Sequence, residues 1–212
     1  MPAQKQSANL HVLTECALMI AMATVLSLIK VYEAPFGGAV TLLSMVPILV
    51  LSMRQGVRTG VFAAFVYSVL QLTLGIANVG WVPSIGGKLL CVVFDYLLPF
   101  TVLGMGGMFR GVRMAKNDRT NLILQTLLGT LIVCLLRFAC HIVSGAVIWY
   151  ALDLDWYADD PGHIVNRYSK WLFSAIYNGW FMVPEIIETA VGAPLITAAL
   201  AKMKLHGGGK TH

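Results

Sequence analysis

From Asn121 to Tyr150 the chain carries a single charged side chain, Arg137, and shorter apolar runs recur on both sides of this stretch. One such run fits in the core of a water-soluble domain. Several in succession leave too little polar surface to cover them. The 212 residues are 58% hydrophobic and 12% charged, with a mean hydropathy of +0.75, which lies outside the soluble range. In hydrocarbon every backbone polar group must be satisfied within a helix or a closed barrel. The period-two alternation of barrel strands is missing. The expected fold is therefore an all-α integral membrane protein, a bundle of six transmembrane helices in the cell membrane.

The expected spans run from about His11 to Val31, Ala39 to Met53, Val57 to Ile76, Gly87 to Phe109, Asn121 to Tyr150 and Lys170 to Ala201. The second is short for the roughly 20 residues a span needs and contains Pro47, so it is tilted, broken or buried among its neighbours. Before it, Tyr32 to Gly38 holds a proline and two glycines and reads as a loop able to cap a pocket. Residues 1–10 and 202–212 read as a cytoplasmic N-terminal tail and a flexible cytoplasmic C-terminal tail around a membrane domain of residues 11–201.

Orientation follows from the basic residues. Ten Lys and Arg fall on the side of the termini and four on the other, with Arg137 inside a span. By the positive-inside rule both termini are cytoplasmic. The net charge of +5 thus reports topology. No basic face interleaved with aromatics stands outside the spans, so nucleic acid is not an expected partner. Cys16, Cys91, Cys134 and Cys140 all lie in apolar runs without a CxxC pair and read as small buried hydrophobes, not as a disulfide frame or a zinc site.

Within the fifth span Arg137, His141, Gly145 and Trp149 follow one another at four-residue steps and share one helix face. Asp95 lies well inside the fourth span and Asn178 inside the sixth. Counted from the outer helix ends, Asp95, His141 and Asn178 all sit roughly 12–14 Å down. Three polar side chains at one level predict the floor of an outward-open cavity, with Gly145 and Trp149 on its wall. Buried polar groups in a membrane are costly enough to mark function. An unpaired Asp95 carboxylate would need a proton or a cation there. Arg137 and Glu185 lie deeper and read as an ion pair that fixes helix packing.

Four stretches together resemble the thiamin-specific substrate-binding component of energy-coupling factor vitamin transporters. They are TLLSMVPILVLSMRQG at residues 41–56, Phe94-Asp95-Tyr96, Arg137-Phe138-x-x-His141-x-x-x-Gly145-x-x-x-Trp149, and Ser174-x-x-Tyr177-Asn178-Gly179. The similarity runs from about Leu13 to Leu200. It implies a six-helix protein without catalytic activity or cofactor that binds thiamin near the outer face. The acidic-Tyr pair, here Asp95-Tyr96, would face the vitamin, and His141 and Trp149 would stack on its rings. Gly145 would leave room beside them, Asn178 would hold the other end, and Tyr177 would join the site. The family's tyrosine five residues before that asparagine is Phe173 here. Phe36 or Tyr32 stands where an aromatic lid is expected.

The chain holds no nucleotide-binding loop, so energy for uptake must come from partners. The resemblance implies a membrane coupling subunit and two cytoplasmic ATPases, docking on the small-residue face of Ala17 and Ala21. Two rival readings remain open from sequence. One is a membrane-embedded enzyme using His141 and Asp95, although no nucleophile motif or metal-ligand cluster accompanies them. The other is a substrate-binding component for a different vitamin.

Overall fold

The computed structural model describes residues 2–34 and 37–207. The chain is a multi-pass membrane protein built of helices and one β-hairpin. Helix α1 (Pro2–Leu28) leads into strands β1 (Lys30–Glu33) and β2 (Ala39–Thr41), which pair antiparallel with Lys30 opposite Thr41. Helices α2 (Val46–Gln55) and α3 (Val57–Leu74) follow, and a one-turn helix at Ile76–Gly80 comes before α4 (Ile85–Gly107). The long α5 (Asp118–Trp156) and α6 (Lys170–Gly207) complete the bundle. Phe36, expected as a lid, and residues 208–212 of the expected tail lie outside the described residues.

Among the described residues, five helical segments are long and apolar enough to cross a membrane: Leu10–Leu28, Val57–Leu74, Ile85–Gly107, Asp118–Trp156 and Lys170–Ala201. The expected second span is built differently. Its first residues form β2, and only Val46–Gln55 is helical, a length of about 15 Å. Eight successive residues of α2, Val46 to Met53, are buried. An all-round apolar helix of this kind belongs inside a bundle, and α2 packs against α1, α3, α4, α5 and α6. Met45, Ile48 and Leu49 form the core there with Ala23, Tyr67, Phe100 and Val133. The faces turned away carry Leu18, Phe62, Trp180 and Ile187, all exposed, as expected for surface that meets lipid.

Local chemistry sets the helix ends. Asn117 Oδ1 accepts from the backbone N–H groups of Arg119 (2.9 Å) and Thr120 (3.1 Å) and starts α5. Ser84 Oγ accepts from Gly87 N at 3.0 Å and starts α4. Pro47 sits in the first turn of α2, where a missing N–H costs nothing. Gly56, at φ +92°, is the whole connection between α2 and α3, a conformation that excludes most side chains. Beside this turn Arg54 Nε and Gln55 Nε2 both donate to the Glu15 carboxylate of α1.

The break between β2 and α2 leaves backbone groups that helix bonds cannot satisfy. Two carboxylates of α6 accept from them. Thr41 N and Thr41 Oγ1 (2.7 Å) donate to Glu185 Oε1, and Leu43 N donates to Glu188 Oε1 at 3.0 Å. Leu43 itself holds φ +56°, unusual for a branched side chain.

At the Gly56 end the helices meet through small residues. Ser52 Oγ donates to Gly104 O at 2.5 Å and accepts from Gly107 N at 2.9 Å. A Cβ at Gly104 would collide with the backbone of Gly60 and Val61, and one at Gly129 with the carbonyl of Gly106. Backbones this close are what membrane helices use in place of a hydrophobic drive to associate. Gly129→Val is therefore expected to destabilise the detergent-solubilised protein by about 2 kcal/mol or more. Gly86→Ala, at a helical glycine with open space around it, should change stability by no more than about 0.5 kcal/mol. Thermal unfolding followed by size-exclusion chromatography compares them, and equal losses would mean that the seam is not the constraint.

Candidate ligand site

A cavity of about 230 Å³ opens between the hairpin, the end of α1 and helices α3 to α6. Its walls gather Asp95, Tyr96, His141, Gly145, Trp149, Tyr177 and Asn178, seven of the residues expected from sequence. Ala17 and Ala21 lie elsewhere, exposed on α1.

Two widened helical turns build the site. In α4, Val92–Leu97 forms a π turn in which Leu98 N bonds to Val93 O. Pro99 lies four residues after Asp95 and has no N–H to return to its carbonyl, and its ring crowds that oxygen. The extra residue per turn relieves the conflict at the position of Asp95 and Tyr96. In α5 the π turn is Gly145–Trp149, closed by Tyr150 N to Gly145 O. A four-residue step overshoots a full α turn by about 40°. The wider turn undershoots it and brings Trp149 back over His141. Turns of this kind recur at functional sites.

Asp95 lies at the meeting point. Its Oδ2 accepts from Ser144 Oγ at 2.7 Å and from Trp149 Nε1 at 2.9 Å, and its Oδ1 lies 3.5 Å from His141 Nδ1. The carboxylate is thus partnered, which differs from the isolated charge expected from sequence. Its hydrogen-bond donors from Ser144 and Trp149 are neutral, so they orient the carboxylate without adding a countercharge. Its side chain is 15% exposed, the rest enclosed. Asn178 Nδ2 donates to His141 O (3.1 Å) and Ser174 O (2.9 Å), placing Asn178 level with His141 as the depth count predicts. Tyr96 OH donates to Gly75 O at 2.9 Å.

Aromatic rings form the walls. Phe181 meets His141 edge-on at 5.7 Å, and Phe173 lies 6.0 Å from Tyr177. The hairpin closes over them: Tyr177 OH donates to Gly37 O at 3.4 Å, and a Cβ at Gly38 would strike the Phe181 ring. With φ values of +91° and +86°, Gly37 and Gly38 allow that approach.

The structure corrects two expectations. The space beside Gly145 is taken by Ser174 and Asn178, into which a Cβ would project. Gly145 therefore lets α6 approach α5 as well as lining the cavity. The floor also lies deeper than the level of Asp95, His141 and Asn178, since Arg137, Ser44, Tyr67 and Phe100 line the same space. Arg137 Nη1 does face Glu185 Oε2, at 3.8 Å. Sequence reasoning missed Ser144, Asn78 and Phe181. Phe181 follows Tyr177 by four residues, a signal that was present, whereas Ser144 and Asn78 carried none.

The comparisons with known proteins agree with one another. The family model described as "Thiamine transporter protein (Thia_YuaJ)" matches residues 13–205. Thiamine transporter ThiT of Bacillus subtilis (strain 168) is 30% identical over 192 residues, covering 88% of this chain and 90% of that protein. Thiamine transporter ThiT of Lacticaseibacillus paracasei is 25% identical over 200 residues, covering 92% and 91%. A solved structure of ThiT from Listeria monocytogenes superposes with a TM-score of 0.64 at 24% identity, over 92% of this chain and 96% of that one, and shows the shared fold.

Gly145→Ala is expected to push α6 away from α5 and cost about 1–3 kcal/mol. Ser174→Ala removes the atom nearest the new methyl, so a double-mutant cycle should return a favourable coupling above about 0.5 kcal/mol. Strict additivity in thermal unfolding would place the constraint elsewhere.

Proposed function

The chain belongs to the thiamine transporter protein family, and on that premise we propose that it is the thiamin-binding subunit of an ATP-driven vitamin uptake system. The observation that carries this reading is the Asp95 carboxylate, aimed into an aromatic-walled cavity by Ser144 and the Trp149 indole. Thiamin bears a fixed thiazolium cation and two flat rings. Asp95 supplies the countercharge, and the face of an indole adds cation–π attraction of ~0.5–2 kcal/mol. His141 and Trp149 take the rings, Asn178 and Tyr177 bound one side, and Tyr96 the other. Gly145 keeps the wall close, and Phe36, which lies outside the described residues, is proposed as the aromatic lid. The relatives are transporters, so Asp95 and His141 are given a binding role and not that of an acid and a base.

We place six segments across the membrane, the sixth being the second crossing, in which β2 and α2 share the distance that one helix would otherwise span. Irregular backbone at that depth is tolerated where protein surrounds it, and the buried α2 meets that condition. Residues 11–201 form the membrane domain, with residues 1–10 and 202–212 in the cytoplasm. The ten basic residues on the side of the termini support this orientation. Energy comes from a membrane coupling subunit and two cytoplasmic ATPases. Ala17 and Ala21, exposed on α1, offer the small-residue face on which another membrane helix can lie.

Thiamin titration of the purified chain, followed by calorimetry, tests the assignment. Saturable binding of thiamin, unmatched by riboflavin or biotin, is the expected outcome. Asp95→Asn and Trp149→Ala should each weaken it by roughly tenfold or more, and wild-type affinity in both would move the site. Ala17→Trp with Ala21→Trp should leave titration unaltered while lowering thiamin uptake in cells that supply the ATPase module. Undiminished uptake would move the docking face.

A further inference from the structure

The cavity continues past its carboxylate. Arg137 lies one turn from His141, about 6 Å deeper, with Phe100 and Ser44 lining the same blind end. Its guanidinium carbon stands 4.4 Å from the centre of the Phe100 ring, its Nε reaches His141 Nε2 at 3.4 Å, and its Nη1 faces Met45 and Glu185. Among the described residues Nη2 makes no hydrogen bond, and it is not among the side-chain atoms sealed from the surface without a partner. It therefore has a donor to spare, on a residue that lines the cavity.

A guanidinium fork at the end of a pocket is ordinarily a receptor for phosphate. Glu185 opposes that use. It is 1% exposed, Thr41 fixes its Oε1, and its Oε2 has no hydrogen bond and faces Arg137 at 3.8 Å. Lys30 and Glu33 at the mouth neutralise each other at 2.5 Å. What remains is Asp95 and Arg137 on the wall and Glu185 behind Arg137; counted with both carboxylates ionised they sum to one negative charge, matched to a monocation. A phosphate ester of the same ligand would bring about −1.5 to −2 charges into a site already negative.

We infer that Glu185 is a specificity-determining residue: by cancelling the charge of Arg137 at the blind end of the cavity, it makes the site select thiamin as the free alcohol over its phosphate esters. This rests on the thiamin-binding reading above.

The test is calorimetric titration of the full chain with thiamin and with thiamin monophosphate. The wild type should prefer thiamin by roughly tenfold or more. Glu185→Gln keeps an oxygen for Thr41 and removes the charge, and should narrow that preference about tenfold, through a gain in monophosphate affinity. The double variant Arg137→Gln/Glu185→Gln should restore it, which a merely structural role for Glu185 would not do. If Glu185→Gln does not fold, Glu185→Asp withdraws the carboxylate from Arg137 by one methylene and should shift the ratio in the same direction. A wild type that takes both ligands equally, or variants that bind thiamin with an unaltered ratio, overturns the inference alone. A wild type that binds neither removes the functional reading and the inference with it.

Discussion

Glu185 is the contact on which the rest of the structure depends. In a lipid bilayer, a peptide group outside a helix costs several kcal/mol if nothing accepts from it. Between β2 and α2 the chain leaves regular structure at Leu42 to Met45, and Glu185 accepts beside that break from both the backbone and the hydroxyl of Thr41. The same carboxylate faces Arg137. An irregular segment, a buried cation and the helix α6 are thereby held by one side chain 144 residues away in sequence from the threonine it binds. With that contact the hairpin has a fixed root, and α2 can sit buried on all sides. Breaking a buried pair by removing one partner is far more costly than the pair is stabilising, so the arrangement is specific rather than strong.

From this root the cavity takes its form. The hairpin supplies a cover, Pro99 widens α4 where Asp95 must turn inward, and the π turn of α5 returns Trp149 to the same charge. Each device is a local departure from regular helix, and all three converge on one carboxylate. The donors that aim Asp95 are a hydroxyl and an indole, so the wall orients the carboxylate through neutral groups. Phe100, Phe173, Tyr177 and Phe181 line part of the remaining wall, and a low-dielectric wall raises the value of any charge it encloses.

Apolar run length marks the five long helices, and four-residue spacing places Arg137, His141, Gly145 and Trp149 on one face, because both properties are local. The hairpin is not legible in the same way. Lys30–Glu33 and Ala39–Thr41 are too short to show alternation, and two strands alone are marginal. They persist because Glu185 and Tyr177 grip them from α6. Nor does sequence mark the start of α2, where a leucine and not a glycine takes the left-handed conformation. Asp95 reads from sequence as an isolated charge because its partners, Ser144 and Trp149, come from another helix. The role of Gly145 likewise depends on Ser174, a neighbour only after folding.

The glycines of the seam leave no side chain between backbones at the Gly56 end, where Gly60 meets Gly104 and Gly106 meets Gly129. At the hairpin end the helices are held apart by large rings and by the cavity itself. Stiffness is thus graded along the molecule. Side chains can hop between rotamers where rings pack, whereas carbonyls in contact have nothing to rearrange. The protein resembles a clothes-peg glued at its spring, with backbones in contact at one end and helices held apart at the other.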